Sequence, residues 1–394
     1  MKKICSILLA LILAIMPLTL CAAESTEKVT LHYYGWTDEQ SYMTALINLF
    51  NEQNPDIEII PTFVNHDDHN QKIVVMASAG STDMDLVSCD SQATVLNLVT
   101  LDGLLPLKER IEAAGIDMSA YGPIISETLF DKKGIAYPEK ITWDEYRELA
   151  KQLTYEEDGT QYWGGFLADW LGAPLSAYQR GSNLLDDDLS AIKEWVSIWN
   201  DVMNVDKSHM SFAQQTAESI DWLKFFCLGT TGMLINGEWT ISMLKDYQAQ
   251  GIELPDWDVT YLPAFDTTGD IVSPGGLSTF ISVCKNSQHP DEAFRFVQFM
   301  ASEEANVYLA GQGVLPAFAN DAVKASFAEA AGVPGAATLL DTTIVLEAPS
   351  VAGYSELSTA FGEERKLYLT EQESLEDFEA HMIERREEIL DSYK

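Results

Sequence analysis

Between residues 29 and 88 the hydrophobic period alternates between strand-like and helix-like, and this alternation leaves few architectures open. Residues 29–34 are a run of β-branched and aromatic side chains that reads as a strand. Gly35-Trp36 ends it, and Thr37-Asp-Glu-Gln40 has the pattern of a capping box. Met43, Leu46, Ile47 and Phe50 follow at helical spacing, and Asn54-Pro55 stops that helix. Residues 57–63 read as a second strand. Residues 67–78 read as a second helix with Gly80 at its C-cap, and 85–88 as a third, buried strand. Strand, helix, strand, helix, strand predicts a parallel sheet with helices on its faces.

The pattern then breaks and resumes. Thr142-Trp-Asp-Glu145 is a second capping box, opening a helix that runs to Leu153. An acidic turn follows at 155–159, then a candidate strand at 163–167. A helix at 187–203 presents Trp195, Ile198, Trp199 and Val202 on one face, which reads as core. Residues 233–235 form a short apolar strand that ends in a glycine turn and presents Trp239, with a helix over 240–247. A large aromatic at the carboxyl end of a strand suits a cleft wall, because open α/β sheets bind ligands outside those ends. Residues 277–283 read as a strand, 291–300 as a helix packed through Phe294, Val297 and Phe299, and 355–393 as charged helix. This interruption suits two lobes traded back and forth along the chain, not two domains in series.

Composition excludes several classes. With 394 residues and 46% hydrophobic side chains the chain has material for real cores. A formal charge of −37 argues against nucleic acid and against docking on an anionic membrane surface. Residues 1–23 read as a signal peptide: Lys2-Lys3, an apolar run over 4–16, Pro17, and small residues around Cys21 and Ala23. Cleavage after Ala23 frees the protein, whereas lipidation of Cys21 tethers it. Of the five cysteines only Cys89, Cys227 and Cys284 lie beyond this segment, so at most one bridge can form, and buried thiols are the simpler reading.

Five segments in this order resemble the extracellular solute-binding proteins of carbohydrate ABC importers. They are 31–36, Phe50-Asn-Glu-Gln-Asn-Pro-Asp56, Ala77-Ser-Ala-Gly80 with Asp83-Met-Asp-Leu-Val87, Asp131-Lys-Lys-Gly-Ile-Ala-Tyr-Pro138 with Ile141-Thr-Trp-Asp-Glu-Tyr146, and 229–239. Pro274-Gly-Gly276, Ile281-Ser282, the 293–300 helix and Gly313-Val-Leu-Pro316 follow where the family has them. The resemblance implies a type II periplasmic-binding-protein-like α/β fold. Each of its two lobes is a mainly parallel sheet flanked by helices, with the ligand cleft between them. It implies an N-terminal lobe of 24–128 and 263–318 and a C-terminal lobe of 129–262 and 319–394. The implied activity is capture of a sugar by hinge closure and delivery to a membrane permease, by an extracytoplasmic monomer with no cofactor and no catalysis. The sequence departs from the family at one point. Members usually carry an extra segment before the Phe130-Asp131 region, which makes the first crossing between lobes and touches ligand. Here 121–129 runs straight on.

A sugar offers hydroxyls and an apolar C–H face, so its site combines aromatic platforms with carboxylates. Trp36 and Trp239 follow strands and border the expected cleft, with core packing as the alternative. Trp163, Trp170 and Tyr178 lie in an aromatic, glycine-rich stretch of the second lobe. Asp90 follows the third strand and is either a ligand carboxylate or a helix N-cap. Asp38 and Asp68 sit at helix starts, where the helix dipole explains them equally well. Gly275 and Gly276 permit close backbone approach, or simply a tight turn. His66-Asp-Asp-His69 places two imidazoles on one helix face, but with no third ligand at telling spacing no metal is expected. Asp186-Asp-Asp188 lacks the spacing of a calcium loop. Two other classes stay open: a secreted carbohydrate-active enzyme, with paired carboxylates across a scissile bond, and a periplasmic ligand sensor. A degenerate binding protein without the first crossing is a further alternative.

Overall fold

The computed structural model describes residues 28–90, 92–106, 121–275, 279–315, 320–346, 349 and 351–393. The signal segment with Cys21, and Gly276, lie outside the described residues. The first lobe opens with β1 (Val29–Trp36), a 3-10 turn at Thr37–Glu39 and α1 (Gln40–Gln53). It continues through β2 (Ile57–Val64), α2 (His66–Ser78), β3 (Leu86–Cys89) and α3 (Gln92–Thr100). The second lobe starts at β4 (Tyr121–Ser126), α4 (Glu127–Lys133) and α5 (Trp143–Leu153), then the hairpin of β5 (Tyr155–Glu157) and β6 (Thr160–Tyr162). There follow β7 (Phe166–Leu167), α6 (Leu175–Gln179), α7 (Ser190–Asn200), α8 (Phe212–Glu218) and α9 (Trp222–Cys227). Next come β8 (Met233–Gly237), α10 (Trp239–Ala249), β9 (Trp257–Val259) and β10 (Val272–Gly275). The chain then returns through β11 (Phe280–Val283), α11 (Pro290–Met300) and α12 (Glu303–Gly311). It ends with α13 (Asp321–Ala331), α14 (Ala337–Leu340), β12 (Thr343–Leu346), α15 (Tyr354–Leu369) and α16 (Leu375–Asp391).

Two four-stranded sheets organise these elements, in the orders β11-β3-β1-β2 and β7-β8-β4-β9. In the first, β1 runs parallel to β2 and β3, and β11 is antiparallel to β3. In the second, β8 is parallel to β7 but antiparallel to β4, which is antiparallel to β9, so this sheet is not the mainly parallel one expected. The first core gathers Leu31, Tyr33, Phe50, Ile57 and Phe296. The second is larger and is organised by Trp143, Trp195 and Trp199, stacked edge to face at 5.0 and 6.0 Å. Each such pair contributes about 1 kcal/mol beyond the area it buries. Trp195 and Trp199 are fully buried, as their helical spacing predicts. The α15–α16 hairpin closes this core through Tyr354, Phe361 and Phe378.

One local expectation changes. Thr142 caps α5 in a complete box with Glu145, but the start of α1 carries no side-chain cap. There the chain turns Glu39 inward instead, to Tyr33 and Ser88. Strand β4 pairs over five residues with β8, so the chain is part of the second sheet from Tyr121. The stretch 263–272 also stays with the second lobe, held by Trp143 N–H on Ala264 O and Gln179 on the carbonyls of Pro263 and Val272. Helix α12 spans both lobes: Ala305 and Leu309 pack on Leu46, and Ala310 joins the second lobe's core. Cys89, Cys227 and Cys284 are free thiols, the first and last buried. No described helix is long and apolar enough to cross a membrane.

Candidate ligand-binding cleft

Parallel strands deliver their carboxyl ends to one edge, and the first lobe uses that edge for a polar–aromatic group. Trp36 is the last residue of β1, Asp90 follows β3, and His66 opens α2 just after β2. The Trp36 indole is largely buried, with the His66 and His69 rings at 5.8 and 5.6 Å. His66 Nε2 lies 2.8 Å from Asp90, which also accepts from Asn70 Nδ2 at 2.7 Å and Thr94 Oγ1 at 2.5 Å. Burial opposes the Asp90 charge, but His66, Thr94 and Asn70 outweigh it and hold its carboxyl well below the usual range. The hydrogen bond to Asp90 in turn raises the His66 pKa.

Beneath the indole runs a buried polar chain. His69 Nε2 donates to Ser88 O at 2.7 Å, and burial lowers its pKa. Ser88 Oγ and Tyr33 O–H donate to the two oxygens of Glu39 at 2.9 and 2.7 Å. Burial pushes the Glu39 carboxyl up to about 8, against hydrogen bonds from Tyr33, Ser88 and the Trp36 backbone. One nitrogen of His69 is thus committed to Ser88, and His66 is paired to Asp90.

The second lobe presents aromatics at the matching edge. Trp170 follows β7, and Trp239 follows the parallel strand β8 as the first residue of α10. Their ring centroids are 6.5 Å apart, and Trp222 of α9 lies 6.2 Å from Trp170. Trp170 is 46% exposed, an unusual cost for an indole that serves only packing. Gly237 makes this edge possible. A Cβ there would lie 2.0 Å from the Trp239 ring, so only glycine lets the indole fold back over the strand end.

Helices α1 and α10, which lead away from the two edges, meet. Ser41 Oγ of α1 donates to Asp246 Oδ2 of α10 at 3.4 Å. Tyr42, raised first by burial, also feels the charges of Asp38, Glu238 and Asp246. Tyr247 of α10 registers Asp38 in the same way. Asp38 is exposed at this junction. Asp68 is exposed in the first turn of α2, where its carboxylate accepts from Asn65, whose own side chain caps the helix.

Three further expected residues lie within packed structure. Trp163 bridges to Thr231, ahead of β8, so it stands at the amino edge of the second sheet. The six residues from there to Gly237 span about 20 Å of strand, and Trp163 packs on the second lobe's core instead. Tyr178 is buried, its hydroxyl 2.6 Å from that of Tyr354. Gly275 ends β10, buried and paired with Leu346. Trp222, His66 and Glu39 join the group without having been expected as site residues. Trp222 comes from a remote helix and carries no local signal. Glu39 was hidden inside an apparent capping box.

A family model described as bacterial extracellular solute-binding protein matches residues 34–307. Solved structures share the fold at low identity. A sugar transporter protein from Rhizobium etli in an open conformation has 22% identity and a TM-score of 0.75, covering 91% of this chain and 99% of that one. A solute-binding protein from Thermotoga lettingae bound with α-D-tagatose has 17% identity and a TM-score of 0.75, covering 92% and 100%. A maltose/maltodextrin-binding domain from Bdellovibrio bacteriovorus bound to maltotriose has 17% identity and a TM-score of 0.68, covering 92% and 99%.

Proposed function

Since the chain belongs to the bacterial extracellular solute-binding proteins, matched over residues 34–307, we propose that it captures a sugar or oligosaccharide between its lobes and delivers it to an ABC importer. The observation that supports this is the half-exposed Trp170, its ring tilted against Trp239 at 6.5 Å just past the carboxyl ends of β7 and β8. Indole faces take the C–H face of a pyranose, and Asp38 and Asp90 supply acceptors for hydroxyls. The sugars bound by the Thermotoga and Bdellovibrio relatives agree with this reading.

The work is binding, with no bond made or broken. The sugar enters an open cleft and contacts both edges, and differential affinity for the closed form drives the lobes together. Closure expels water from the indoles and presents one composite surface to the permease. The protein acts outside the cytoplasm, exported by residues 1–23 and then either released or tethered through Cys21. The pairing of β4 along β8 completes the second sheet without the family's extra crossing segment, which favours a working cleft over a degenerate one.

A thermal-shift screen of the mature protein against mono- and oligosaccharides tests the reading. At least one sugar should raise the melting temperature. Hydrolysis of a sugar without stabilisation would replace binding with catalysis.

A further inference from the structure

The C-terminal hairpin carries a second cluster, outside the cleft. Glu364 on α15, Glu373 in the connecting turn and His381 on α16 bring one ligand atom each within 4.8 Å of one another. His381 Nδ1 lies 3.0 Å from Glu373 Oε2 and 3.2 Å from Glu364 Oε2. A single ring nitrogen is thus shared between two carboxylates. The Glu373 side chain is only 6% exposed, and its Oε1 is buried with no hydrogen bond from any described residue. Leaving such an acceptor dry is costly unless something positive reaches it. Burial and the neighbouring Glu364 charge raise the Glu373 pKa. Arg385 donates to Glu364 Oε1 at 2.8 Å and to Glu363 at 2.6 Å, fixing the Glu364 carboxylate with Oε2 turned to His381.

The spacing suits a small cation. Bonds of about 2.0–2.1 Å in a tetrahedral shell set ligand atoms roughly 3.3 Å apart, close to the two N–O separations here. Half-exposed His381 leaves an outer face where water completes the shell. An imidazole nitrogen among three donors favours zinc-like ions over magnesium or calcium. Arg385 then serves as an outer partner that orients a ligand.

We propose that Glu364, Glu373 and His381 form a binding site for a divalent transition-metal ion that clasps α15 to α16. The site lies ten residues along α15 from Tyr354, which meets Tyr178; that is about 15 Å of helix. The ion is therefore a brace for the hairpin that closes the second core, not a ligand contact.

The test uses the mature protein stripped with chelator. Calorimetric titration and thermal melts are run with zinc chloride and, in parallel, magnesium chloride, on the wild type, His381→Gln and Glu373→Gln. Zinc should bind at one site and raise the melting temperature, magnesium should not, and each variant should weaken zinc binding by roughly 100-fold, as loss of a ligand must exceed loss of an outer partner. Apo melts of the variants establish that they fold, and Glu373→Gln keeps the shape of the turn if His381→Gln does not. No zinc binding, equal stabilisation by magnesium, or unchanged zinc affinity in both folded variants would overturn the assignment.

Discussion

Glu39 buries a carboxyl directly beneath the indole that ends β1, and its environment sets a pH dependence. Its pKa is raised to about 8 by burial, so the folded state holds a proton that the unfolded chain releases near the ordinary glutamate value of 4.5. Stability therefore falls as pH rises between those values and is flat above. Glu39→Gln keeps the neutral hydrogen-bonding shape and removes that loss. Urea melts should show the variant gaining up to about 3 kcal/mol over wild type at pH 7, with little difference at pH 4.5. A parallel pH profile for the two proteins would mean that Glu39 ionises normally. The tryptophans separate by exposure. Trp170→Ala should cost little stability yet weaken sugar binding about tenfold or more, whereas Trp239→Ala should lower both, because its ring also packs on the second core. Positions at strand ends were legible, as for Trp36 and Trp239. Trp163 misled because it sits at the start of its strand region and not the end, a distinction that depends on pairing register.

At the scale of elements, the β8–turn–α10 unit shows how backbone geometry builds a binding surface. Gly237→Ala drives a methyl into the Trp239 ring. Such overpacking costs about 1–3 kcal/mol, and here it should also displace the indole. Denaturant melts and sugar titrations on this variant should show both losses, although position 237 offers no side chain to a ligand; retained affinity would mean that Trp239 does not border the site. Most elements were readable from period and caps, including α1, α2, the Thr142 box and the long C-terminal helices. The Thr37 box was not, because tertiary hydrogen bonds to Tyr33 and Ser88 outcompeted a local cap. The placement of β4 was not legible either, since a strand alone carries no label for its sheet.

For the whole molecule, two separate sheets whose helices α1 and α10 meet through Ser41 and Asp246 suit a hinge. Ser41–Asp246 is a long contact at 3.4 Å, easily exchanged as the lobes move. Ligand closure should therefore reduce the radius of gyration in small-angle scattering; an unchanged profile at saturation would exclude closure. If the tryptophans at the two edges bind a sugar, intrinsic tryptophan fluorescence reads those residues themselves. Titrating wild type and Trp170→Ala with a panel of mono- and oligosaccharides should give a saturable change for at least one sugar in the wild type, strongly weakened in the variant. A flat response to every sugar, or an identical response from both proteins, would contradict it.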